Sequence, residues 1–112
     1  MFSKEFLIEI TTKRFEYTYE AMWKCARDLL RERGVERGSP KSCFGGLIRE
    51  GLIPESLEPV LAEIIRIRNE LVHVYDAERA EDLFQKIKGE EIFNAVREVY
   101  RSFKNLSGSE EL

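Results

Sequence analysis

The sequence predicts an all-α protein, an up-down four-helix bundle with a short extra helix, working as a dimer. Apolar residues recur at three- and four-residue steps over long segments, and no segment shows the two-residue alternation of a strand. Helix start and stop signals fall between those segments. Charged residues of both signs make up 35% of the chain, as on solvated helix faces.

The first helix is expected from about Ser3 to Arg33. Phe15, Tyr19, Met22, Cys25 or Ala26, Leu29 and Leu30 form its apolar stripe. Gly34 is its C-terminal stop. Polar residues such as Lys13, Glu16, Glu20, Lys24, Arg27 and Arg31 occupy much of the other side, where Glu20 attracts Lys24 and Arg27 repels Arg31. Gly34 to Ser39 reads as a loop. Ser39-Pro40 then starts a short helix, with a serine N-cap and proline at the first helical position. It ends near Gly51. Gly45-Gly46 in its middle fits either close approach to another helix or plain local flexibility.

A third helix is expected from about Ser56 to Val74, with Pro59 tolerated in its first turn. Leu57, Val60, Leu61, Ile64, Ile67, Leu71 and Val72 supply its apolar positions. Asp76 caps a fourth helix containing Ala80, Leu83, Phe84 and Ile87. Gly89 breaks or bends it, and Ile92, Phe93, Val96, Val99, Tyr100 and Phe103 continue the pattern to about Lys104. Residues 1–106 thus form one helical domain, and 107–112 a solvated tail.

The composition narrows the function. With 112 residues, 43% of them hydrophobic, one core can form, and association of two copies helps a chain of this size. A net charge of -3 argues against a general nucleic-acid coat while leaving room for a local basic pocket. Lys4, Glu5 and Glu9 interrupt any signal-peptide core near the start, and no stretch approaches the ~18 apolar residues of a membrane span. A cytoplasmic setting without membrane attachment is expected, with Cys25 and Cys43 as free packing residues. One histidine and two scattered cysteines make a zinc site from this chain improbable, and no cofactor is expected.

Arg68 breaks the helical pattern. Its neighbours on the third helix are Leu61, Ile64, Leu71, Val72 and Tyr75, all apolar or aromatic. A buried, unpaired charge costs several kcal/mol, so Arg68 must reach a carboxylate, a phosphate, a subunit interface or a cleft. His73 lies about 140° round the same helix, since five residues turn by about 100° each. It shares a polar strip with Arg66, Asn69, Glu70 and Asp76, where it is either a surface or capping residue or a proton carrier. Two copies crossing about a twofold axis bring one histidine towards the other's arginine. Arginine holds phosphate bidentately, histidine moves protons, Asn69 hydrogen-bonds and Tyr75 stacks. The set suits metal-independent RNA cleavage through the 2′-hydroxyl, or nucleotide binding with no reaction.

Arg68-Asn69-x-x-x-His73-x-Tyr75 resembles the R-x4-H-x-Y signature of HEPN domains, helical proteins encoded beside minimal nucleotidyltransferases. Arg14 to Lys24, Ser39-Pro40-Lys41, Gly51-Leu52-Ile53 and Asp76 to Ile87 resemble the nucleotidyltransferase substrate-binding branch of that superfamily, so the likeness spans about Arg14 to Ile87. Glu70-Leu71-Val72 is closer to the toxin branch. The resemblance implies a dimeric helical bundle that pairs with a minimal nucleotidyltransferase and binds nucleotide or RNA phosphate through Arg68, Asn69, His73 and Tyr75. It equally implies an alternative, an endoribonuclease toxin with Arg68 and His73 as catalytic residues and Tyr75 as the site silenced by AMP transfer. Trp23, Tyr19 and Phe15 follow the buried stripe and read as core or dimer interface rather than a base-stacking platform. The run Lys24, Arg27, Arg31, Arg33, Arg37 and Lys41 is interrupted by acids, and is either an ordinary solvated face or a shallow path for an RNA backbone.

Overall fold

The chain opens with α1, a helix over Lys4–Glu32, whose apolar side is the stripe expected from the sequence. The computed structural model describes residues 3–74 and 76–107. Ser3 caps α1 by accepting from the Phe6 amide at 3.1 Å. Its buried residues are Phe15, Tyr19, Met22, Ala26, Leu29 and Leu30; of the two expected alternatives Ala26 is enclosed, while Cys25 is half-buried. Helix α2 (Pro40–Arg49) carries a capping box in which Ser39 and Ser42 hydrogen-bond reciprocally. A 3₁₀ turn, Glu55–Leu57, leads into α3 (Glu58–Leu71), then come α4 (Ala77–Ile87) and α5 (Glu90–Ser107). The described residues are all-helical, in keeping with the expected class.

Helices α1 and α2 end in the same way. Past α1, the Val35 amide donates to the Leu30 carbonyl at 2.9 Å and the Gly34 amide to Arg31 at 3.0 Å. Past α2, Leu52 donates to Leu47 at 2.8 Å and Gly51 to Ile48 at 3.0 Å. Both are Schellman closures, which place the residue after the cap at positive φ; Gly34 and Gly51 sit at +79° and +74°. Val35 and Leu52 then turn inward onto the core. Each stop therefore also redirects the chain for the next packing contact.

Four expectations need correction. Helix α3 ends at Leu71, not near Val74, with Val72 as its C-cap and the His73 amide donating to Glu70. Val72, expected in the apolar stripe, is 51% exposed, because the stripe ends where the chain leaves α3 for α4. On α5, Phe93 and Tyr100 face solvent, and the buried seam is Ile92, Ala95, Val99 and Phe103. Those four positions follow the 3.6-residue period, and the two rings fall beside that seam. Helix α5 also runs to Ser107, beyond the expected stop; the rest of the expected tail lies outside the described residues.

The core joins all five helices through Leu30, Leu47, Ile64, Ile67, Leu83 and Val99, each almost completely enclosed, and among the described residues no polar or charged residue is buried. Gly46 shows how closely α2 approaches α1. A Cβ there would lie 2.9 Å from Leu30 Cδ1, whereas one on Gly45 would meet open space. Of the two readings of the glycine pair, close approach therefore holds at Gly46. Gly45→Ala is expected to stabilise the protein by about 0.5–1 kcal/mol through helix propensity. Gly46→Ala, pushed against a fully enclosed leucine, should be about 2 kcal/mol less stable than Gly45→Ala. Urea melts of the two variants check the order; equal stabilities would mean that Leu30 yields freely.

Candidate functional site

Helices α2, α3 and α4 enclose an open recess of about 700 Å³ at the C-terminal end of α3. Lys41 reaches it from the first turn of α2, Arg66, Asn69 and Glu70 from α3, His73 and Val74 from the segment after it, and Arg79 from α4. Ala62, Ile65 and Val74 give it an apolar wall. A ring can lie against that wall while the polar side chains take an attached anion.

Local structure explains why these side chains meet. Arg66, Asn69, Glu70 and His73 recur at three- and four-residue steps, so they share one edge of α3 and its extension. Asp76 then caps α4 by accepting from the Arg79 amide at 2.7 Å. That bond fixes Arg79 in the first turn of α4, beside the end of α3. Lys41 is held two residues after the Ser39 cap of α2.

A ladder of ion pairs lines the α3 side. Lys86 lies 3.8 Å from Glu63, Glu63 pairs with Arg66, Arg66 lies 3.8 Å from Glu70, and Glu70 pairs with Arg79. Among the described residues Glu70 is the one acid lining the recess, and it faces two arginines. Exposed pairs of this kind add little stability each, but together they hold α4 against α3.

Asn69 and His73 thus share the recess, as their common polar strip implies. Arg68 lies apart from it. Its guanidinium rests 5.8 Å from the centroid of the Tyr19 ring on α1. Among the described residues no carboxylate comes within ion-pair distance of Arg68, so the expected alternative of an ion pair to a neighbouring helix is not seen there. Burial pushes the Tyr19 phenol above its usual range, while the Arg68 charge pulls it down. Tyr75 lies outside the described residues. The recess adds Lys41, Arg66 and Arg79 to the residues expected from the sequence. Arg66 was visible on the polar strip and Lys41 as the end of an interrupted basic run, but neither Lys41 nor Arg79 could be placed at the site until α2 and α4 are docked.

The remaining features are as expected or plainer. Trp23 packs against the core edge, donates to Glu20 at 3.3 Å and lies under Arg27. Both cysteines are free thiols, and burial raises both. Cys43 is fully enclosed, with its sulfur 3.6 Å from the Arg37 carbonyl. No helix among the described residues is long and apolar enough to cross a membrane.

Comparison with known families finds one match. The chain fits the family described as "Nucleotidyltransferase substrate binding protein like" over residues 3–105. It belongs to that family. The resemblance to HEPN domains fits this membership, and the match extends past the Arg14–Ile87 span to take in all of α1 and most of α5. Searches of curated proteins and of solved structures gave no match.

In this substrate-binding-like chain the Arg68–Tyr19 contact can be tested directly. Arg68→Met is expected to leave stability within about 1 kcal/mol, because losing the ring contact is offset by removing a half-buried cation. The Tyr19 phenol should then titrate at still higher pH, read as the tyrosinate absorbance of variant against parent. The folded chain already holds this proton more tightly than the unfolded one. Its contribution to stability is therefore complete below the unfolded value of about 10 and fades as pH climbs through the raised one. An unchanged Tyr19 titration in Arg68→Met would show that the guanidinium does not act on the ring.

Proposed function

We propose that this chain is the substrate-holding subunit of a nucleotidyltransferase pair, seating a nucleotide or RNA phosphate in the recess at the end of α3. The observation that carries this reading is the convergence of Lys41, Arg66, Asn69, His73 and Arg79, from three helices and one turn, on a recess with an apolar wall. Guanidinium and ammonium groups hold phosphate oxygens through charge-assisted hydrogen bonds. Asn69 adds an amide that can donate to a phosphate or read a sugar or base, and Ala62, Ile65 and Val74 offer a surface for the ring. The family membership supports a nucleotidyltransferase as the partner, in this reading a minimal one that acts on what the subunit presents. The working unit in this reading is a homodimer in the cytoplasm, with the nucleotidyltransferase docked beside it.

A second reading keeps the endoribonuclease, and the position of Arg68 favours it. Among the described residues no carboxylate pairs with the half-buried Arg68 guanidinium beside the Tyr19 ring, and it retains hydrogen-bonding capacity for a phosphate. Within one chain Arg68 rests on α1 while His73 lines the recess. Cleavage through this pair therefore needs a second copy to bring one chain's His73 to the other's Arg68. In that arrangement Arg68 stabilises charge on the phosphorane, His73 moves the 2′-hydroxyl proton, and Tyr75 is the residue that takes AMP.

Incubating the purified protein with RNA in chelator separates the two. Under the substrate-holding reading RNA stays intact, and a nucleoside 5′-monophosphate shifts the Asn69 and His73 resonances in an NMR titration. Arg79→Gln should weaken that binding roughly tenfold by removing one charge-assisted contact. RNA cleavage that disappears in a folded His73→Ala protein would overturn the binding-only reading in favour of the nuclease.

A further inference from the structure

The anion position of the recess is occupied by the protein itself. The polar side chains lining it are Lys41, Arg66, Asn69, His73, Arg79 and Glu70. The first five can all donate hydrogen bonds, whereas an ionised carboxylate only accepts. Glu70 directs one carboxylate oxygen to Arg79 Nη2 and holds the other 3.8 Å from Arg66 Nη1. These are the two guanidinium groups that an incoming phosphate must engage. The Glu70 side chain remains one-third exposed, so a soluble anion can reach it and displace it.

We infer that Glu70 is a built-in competitor for the phosphate site, a carboxylate that holds Arg66 and Arg79 until a ligand phosphate takes its place. The inference rests on the recess being the ligand site. Displacement has a structural consequence, because the Glu70–Arg79 pair ties α3 to the first turn of α4. A bound phosphate bridging Arg66 and Arg79 replaces that tie with one that runs through the ligand. Occupancy is thereby coupled to the seating of α4 and to the turn between Leu71 and Ala77. The simpler role is a brace between two helices. The two roles predict opposite signs when the charge is removed: a competitor weakens ligand binding, and a brace supports it.

Glu81 provides the matched control. It lies on α4, pairs with Lys4 on α1 and touches none of the cations of the recess, which it does not line. Removing either carboxylate changes the net charge by the same amount, so a long-range electrostatic effect appears in both variants and a local competition in one.

The test is the affinity of the full chain for uridine 5′-monophosphate, with inorganic phosphate as a second probe, measured by calorimetry at fixed salt. Glu70→Gln is expected to bind the nucleotide about tenfold more tightly than the parent, having lost a charged competitor at contact distance. Glu81→Gln should stay within about twofold of the parent, since its charge acts from outside the site. Glu70→Asp, which keeps the charge, should bind less tightly than Glu70→Gln and confirms that the gain comes from the charge; thermal melts establish that each variant is folded. Affinity unchanged or weakened in a folded Glu70→Gln protein, while the parent binds, overturns the competitor role and leaves the recess as the ligand site. Equal tightening in Glu81→Gln overturns it as well, by assigning the effect to overall charge. No binding of either probe to parent or variants overturns both the competitor and the recess.

Discussion

The stripe from Phe15 to Leu30 on α1 is the surface against which the other four helices are arranged. Its helix packs on α2, α3, α4 and α5, and no other helix touches all the rest as extensively. The stripe works because its residues hold the helical period without a polar interruption through four turns, presenting Tyr19, Met22, Ala26 and Leu30 in one line. Gly46 lets α2 come close to α1, and Leu30 fills the space that Gly46 leaves. Moving that line would displace the ends of α3 and α4 that build the recess.

The end of α3 decides the site. Had the helix continued through Val74, His73 would be one more side chain on a straight helical edge. Instead it closes at Leu71, the chain turns, and Asp76 begins α4 with Arg79 in its first turn. The reversal brings a cation from α4 beside Asn69 and Glu70, while Lys41 enters from α2. Arg68, one residue before Asn69, points away from the recess and settles on Tyr19. A single step along an α-helix is about 100°, which separates these neighbours in the sequence into different environments.

The charge distribution follows the same geometry. The chain is net acidic at -3, yet the recess gathers two arginines, a lysine and the only histidine around one carboxylate. Sequence-wide charge describes the long-range field, whereas recognition of an anion depends on the few groups within hydrogen-bonding reach. A mildly acidic surface with a small basic concavity suits selective binding of one phosphate group better than coating of a nucleic acid.

The helical class, the caps at Ser3, Ser39 and Asp76, the stops at Gly34 and Gly51 and the stripe of α1 follow from the sequence, because each rests on interactions within one turn of the chain. So does the split between Arg68 and the strip bearing Asn69 and His73, which is a matter of helical phase. The sequence was misleading where periodicity continued past a tertiary limit. Val72 keeps the apolar spacing but lies beyond the last turn of α3, and Phe93 and Tyr100 are apolar in type but flank the seam that α5 buries. Only the folded chain could supply Lys41 and Arg79, since they reach the recess from helices whose docking depends on complementary surfaces distant in sequence. Only it could show that Glu70 already holds Arg79, one of the arginines a phosphate would seek, because that contact closes across nine residues and a change of helix.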